Sequence, residues 1–193
     1  MYIDFDSLPD TRVPGINILT RDQLIASLAY HEAGHAVTGM HFGMSLRQTR
    51  VYTIDVDGYT GWTGTTTWNN SYVLCANLAI ELAAGAAAGT RYLRDNNLLT
   101  PETAAITAAP HDRDMAVAAL TEADYPFTLH GPTPDNGSTW EQATTAAAEM
   151  TDRLWDQIAT VAESLIVAPR RELSGNQIAA LIGIPNPAAT SAA

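Results

Sequence analysis

Two histidines four residues apart, with a glutamate beside the first, stand in the stretch AYHEAGHAV at residues 29–37. On a helix, positions i and i+4 lie side by side, so His31 and His35 can reach one metal ion together. Zinc takes neutral imidazole nitrogen readily, and a catalytic zinc uses three protein ligands and keeps one position for water. The pKa of that water falls to about 7. Glu32 is then placed to take the water's proton and pass it to a leaving amine. The chemistry suggested by this pattern is metal-assisted hydrolysis.

The pentapeptide HEAGH does not supply a third ligand, and three candidates compete. His41 stands six residues after His35, the separation of the HExxHxxGxxH pattern, but Thr38 occupies the position of that pattern's glycine and Gly39 follows it. Glu81 belongs to a later helical stretch. Asp112 and Asp114 lie in the acidic segment PHDRD, where carboxylates also complement the dipole at a helix start.

These side chains need elements to hold them. A helix is expected from Thr20, because TRDQ is a capping box in which the Thr20 hydroxyl and the Gln23 side chain each serve the other's backbone amide. Leu24, Leu28, His31 and His35 share one face of it, and Gly39 and Gly43 offer places to stop. Alternation of Tyr52, Ile54 and Val56 with polar neighbours, followed by Asp57-Gly58, predicts a hairpin with strands over 49–56 and 59–67. Val51–Val56 is its expected free edge, to which an extended peptide could add. An alanine-rich helix is expected over 70–94, with Gly85 and Gly89 letting another helix approach closely. A broken connection containing Pro101 and Pro110 follows, then a helix over 111–123 and a loop, YPFTLHGPTPDNGS. The capping pattern STWE opens a long helix over 138–168, and Ser174 with Gln177 opens a last short one. The class expected is mainly α with a small β-hairpin after the HEAGH helix. The expected organisation is one domain over 1–193, with an arm at 1–19 and a flexible tail at 184–193.

Composition narrows the partners. A formal net charge of −11 argues against a nucleic-acid backbone. All ten basic residues are arginines. The single cysteine, Cys75, allows no intrachain disulfide, and the acidic start MYIDFDSLPD lacks the features of a signal peptide. With no apolar run of membrane-spanning length, a soluble cytoplasmic protein is expected. The four tryptophans are expected as core or interface anchors, and Cys75 as a small buried residue.

In order and wording these features resemble the peptidase domain of the FtsH-type ATP-dependent zinc proteases, over about residues 20–183. YHEAGHAV matches that family's HEAGHA motif beyond the minimal pattern, and GYTGWT is similar to the segment that follows it. APHDRDMAVAAL resembles the family's motif of an aspartate followed four residues later by alanine, with Asp112 and Ala116 at those positions. The resemblance implies a helical zincin-like fold, zinc held by His31, His35 and Asp112, and Glu32 as general base. It implies cleavage of peptides or unfolded segments. The chain departs from the family in lacking the glycine-rich phosphate loop of an ATPase, so a separate ATPase partner, and a homo-oligomer, are implied only as options. It also departs at AGAAAGT, where the family's second helix carries glutamates, so a carboxylate orienting a ligand is expected to be missing. That departure supports the alternative of a zinc-binding or partner-binding scaffold that no longer cleaves.

Overall fold

The computed structural model describes residues 18–56, 59–69, 73–108 and 110–188. The expected arm lies almost wholly outside them. The first helix, α1 (Arg21–His41), begins as its sequence dictates: Thr20 Oγ1 accepts from the Gln23 amide at 3.2 Å and the Thr20 amide donates to Gln23 Oε1 at 2.9 Å. It ends where Gly43 takes a left-handed φ of 79°. The Met44 amide donates to Gly39 O and the Gly43 amide to Met40 O, the pairing that satisfies a helix's last carbonyls.

Strands β1 (Leu46–Val56) and β2 (Tyr59–Trp68) form the expected antiparallel hairpin, paired Val51 to Gly64 and Val56 to Tyr59. Asp57 and Gly58 lie outside the described residues. A third strand was not foreseen: β5 (Glu172–Ser174) pairs antiparallel with β1 at Gln48–Arg50, giving the order β2-β1-β5. β1 is therefore the centre of the sheet, and β2 is its outer strand on the side away from β5. β5 covers β1 only at Gln48–Arg50, so among the described residues the side of Val51–Val56 turned away from β2 carries no strand, as expected, and the outer side of β2 is a second open edge.

Helix α2 (Cys75–Asp95) packs along α1, and Gly34 of α1 shows how closely. A Cβ added there would stand 2.6 Å from the Ala84 carbonyl oxygen. Next come α3 (Pro101–Thr107), capped by a Thr100–Thr103 box, and α4 (Pro110–Glu122). The loop after α4 is not wholly irregular, because β3 (Phe127–Thr128) and β4 (Ser138–Thr139) make a two-residue parallel ladder. That ladder, with the Ser138 amide bonded to Pro126 O at 3.0 Å, keeps Ser138 extended. The cap therefore falls on Thr139, boxed with Gln142, not on Ser138.

The long helix expected over 138–168 is two helices, α5 (Trp140–Arg153) and α6 (Trp155–Val167), bent at Leu154. Backbone bonds run on through the bend, from Leu154 to Met150 O and from Ile158 to Leu154 O. The bend lets one continuous segment cover two partners, α5 lying on α2 and α6 on α1. The last helix, α7 (Gly175–Ile182), carries the expected Ser174–Gln177 box.

The main core joins Ile25, Ala29, Val37, Leu46, Val51, Ile158, Val161, Leu165, Leu173 and Ile178, drawn from α1, the sheet, α6 and α7. The first residues of the expected tail are tied down. Asn186 accepts from the Leu46 amide and donates to the Leu46 carbonyl, both at 2.8 Å, and Ser45 Oγ donates to Pro187 O at 2.7 Å. Cys75 is half-buried, not fully buried. Among the described residues no helix is long and apolar enough to cross a membrane.

Candidate metal centre

His31 and His35 leave α1 on the face turned to α2 and α4. Asp112 comes from the first turn of α4, brought there by the packing of α4 on α2. Three atoms converge: His31 Nε2 lies 3.1 Å from His35 Nε2, and Asp112 Oδ2 lies 3.1 Å from the first and 3.3 Å from the second. Ligand atoms around a tetrahedral ion with bonds of 2.0–2.1 Å are spaced at about 3.3 Å, so the triangle has the right size for one ion. Among the described residues this is the group of three that could hold a metal ion.

The protonation pattern points the same way. His35 Nδ1 stands 2.9 Å from the Glu81 carbonyl oxygen and 3.2 Å from Glu81 Oε1, both acceptors. The ring proton therefore sits on Nδ1, and Nε2 presents a lone pair. Asp112 Oδ2 is buried without a hydrogen bond. Two lone-pair atoms thus face each other in a site that calls for a cation between them. In the metal-free chain a second proton on His35 can serve. Burial lowers the His35 pKa, but the neighbouring Asp112 and Glu81 carboxylates outweigh that and hold it well above the ordinary value. Burial likewise pushes the Asp112 carboxyl up, and the two imidazoles outweigh it, holding the group well below the usual carboxylate range.

Space for the ion is made by a glycine. A Cβ on Gly85 of α2 would run into His35 Nε2 and lie 2.6 Å from His31 Nε2. The small-residue spacing seen in the sequence does allow a close approach, and at Gly85 what approaches is the pair of imidazoles. At Gly89 it is Thr107 of α3.

Glu32, on the same helix, points to the sheet. Its Oε2 accepts from Thr66 Oγ1 at 2.7 Å, and the rest of its carboxylate lies against the bare Cα of Gly64, both on β2. The side chain is 5% exposed. Burial raises its pKa, and the charges of His31 and His35 with the Thr66 bond offset only part of that rise. A carboxylate raised this way is a better proton acceptor than an ordinary one.

The rival ligands are elsewhere. His41 faces Gln157, with Nε2 2.7 Å from Oε1, at the exposed end of α1. Asp114 is exposed and pairs with Arg113. Glu81 does reach the site, but on the Nδ1 side of His35, so it orients a ring. The carboxylate expected to be missing is therefore present one turn before Gly85. Thr90, where the resembled family carries a glutamate, instead stands 3.1 Å from Thr107 Oγ1. Glu81→Gln should weaken metal binding by roughly 10–100-fold, measured by chelator competition. Unchanged affinity would reduce Glu81 to a packing role.

Fold and site together define a mainly helical domain with a three-stranded antiparallel sheet and a His₂Asp cluster that could hold a metal ion. Compared with known proteins, the chain matches no protein-family model and no curated protein.

Proposed function

We propose that this protein is a zinc metalloendopeptidase of the FtsH-type peptidase kind, acting on peptides or unfolded segments. The observation that carries the reading is the triangle of His31 Nε2, His35 Nε2 and Asp112 Oδ2, edged at 3.1–3.3 Å, with buried Glu32 adjoining it on the same helix. Nitrogen and carboxylate donors in this number suit zinc with an open position, and the single cysteine argues against a structural four-thiolate site. Zinc held there would supply Lewis acidity, lowering the pKa of water and polarising a peptide carbonyl.

The chain's own residues supply the rest. Glu81 fixes the His35 tautomer. Thr66 fixes Glu32 by donating to one oxygen. Glu32 takes the proton of the attacking water and returns it to the departing amine, which its raised pKa favours. Gly64 keeps β2 open beside that carboxylate. The outer edge of β2 offers amides and carbonyls to which an extended peptide can add as a further strand. The presence of Glu81 weakens the case for a scaffold that no longer cleaves.

The test is hydrolysis of an unfolded protein and of short fluorogenic peptides by zinc-loaded protein, before and after chelation. Cleavage lost on chelation and restored by zinc supports the reading. Bound zinc with no cleavage of any substrate contradicts it.

A further inference from the structure

On the α1-facing side of β2, Gly64 and Thr66 meet Glu32, and Trp68 meets Gly39. Alternation puts Trp62 on the same side, about 7 Å along the strand from Gly64. Two guanidinium groups lie against its indole. Arg171 Cζ is 4.9 Å from the ring centroid, and Arg21 Cζ, at the start of α1, is 5.6 Å from it. Two cations on one ring repel, and in a chain of net charge −11 with only ten basic residues their meeting is a concentration of scarce charge.

Two donors there lack acceptors. The Trp62 indole N–H and the Arg171 Nε–H are both buried and without hydrogen bonds. Buried donors of this kind are costly unless something accepts from them. Arg171 makes no ion pair among the described residues; Arg21 has an interaction of its own and adds only charge. The backbone that carries Arg171 is itself unusual. Arg170 and Arg171 take left-handed φ values of 60° and 48° in succession, a conformation unfavourable for side-chain-bearing residues. It lies in the short turn from α6 into β5, from which Arg171 reaches Trp62.

We propose that Trp62 and Arg171 form a subsite for a carboxylate of the bound peptide, so that the protein selects acidic substrates. This deepens the peptidase reading and rests on it for the placement of the peptide. A peptide added to the outer edge of β2 brings the side chains of one face alongside Trp62, within the reach of cross-strand neighbours. An Asp or Glu side chain, or the terminal carboxylate of a short peptide, would accept from the indole N–H and the guanidinium. A guanidinium binds a carboxylate with charge-assisted bonds that an amide does not match.

The test is fluorescence anisotropy with zinc-loaded Glu32→Gln protein, so that the probe is not consumed. The probes are labelled decapeptides carrying one Glu or the isosteric Gln, each with a free or an amidated C-terminus. The charged peptide should bind about ten-fold more tightly. Arg171→Gln should abolish the preference, and Trp62→Phe, which keeps a ring but loses the N–H, should reduce it. Preference that follows Glu assigns the subsite to a side chain, and preference that follows the free C-terminus assigns it to chain ends. Equal binding of all four probes, binding of none, or an undiminished preference in folded Arg171→Gln protein would overturn the subsite. Wild-type protein that shows the preference yet cleaves no peptide would overturn the peptidase reading and leave the subsite standing.

Discussion

Glu32→Gln is expected to lower peptide hydrolysis by about 10²–10⁴-fold while one zinc per chain stays bound. The substitution keeps the shape of the side chain and removes its charge, and with it the capacity to take a proton. Thr66 Oγ1, now 2.7 Å from Oε2, can still donate to the amide oxygen or turn to the Glu32 backbone carbonyl 3.1 Å away. The three candidate ligands are not touched. Stability should hold or rise. Burial raises the Glu32 pKa, so the unfolded chain releases that proton at lower pH than the folded one, and the ionised group costs stability at neutral pH. Gln removes the cost. Parallel assays of hydrolysis, bound metal and thermal unfolding separate these effects. A variant as active as wild type would remove Glu32 from the chemistry, and one that lost its zinc would make Glu32 part of the ligand set.

Gly85→Ala is expected to reduce zinc affinity on the order of 100-fold or more, although it removes no ligand and no charge. The new methyl would occupy the space between the two Nε2 atoms and α2, and would press hardest on His35 Nε2. The rings would have to turn away, which breaks a geometry that metal binding holds to about 0.2 Å. Overpacking costs about 1–3 kcal/mol, and the better helix propensity of alanine returns about 1 kcal/mol. The metal-free variant should therefore unfold within a few degrees of wild type. Chelator competition measures the first quantity and calorimetry of the metal-free proteins the second. Zinc affinity equal to wild type would mean that the imidazoles do not need the gap.

How much of this was legible in the sequence depends on the range of each contact. The i, i+4 pairing of His31 and His35 and the boxes at Thr20 and Ser174 are local, and the structure has them where the sequence placed them. Asp112 could not be chosen from spacing alone, because its meeting with α1 depends on how α4 packs against α2; the resemblance selected it. Glu81 was misjudged for the same reason. Its contact with His35 crosses 46 positions, and position along α2 does not reveal that its carbonyl and carboxylate both turn to one ring. Thr66 is not legible in the sequence, because a threonine in a strand has no feature to distinguish it from its neighbours until α1 lies beneath it. The cap expected on STWE moves one residue on, to Thr139 and Gln142, because Ser138 is held in a strand pairing with Phe127 that the sequence pattern does not show. The bend at Leu154 has no proline or glycine to announce it. It follows from α5 and α6 covering different helices.

The central claim is that His31, His35 and Asp112 together hold zinc. Its most direct test is elemental analysis of purified wild-type protein beside Asp112→Ala and His41→Ala. One zinc per chain in wild type, lost in Asp112→Ala and kept in His41→Ala, is the expected result. Zinc retained by Asp112→Ala and lost by His41→Ala, or no zinc in wild type after reconstitution, would contradict it.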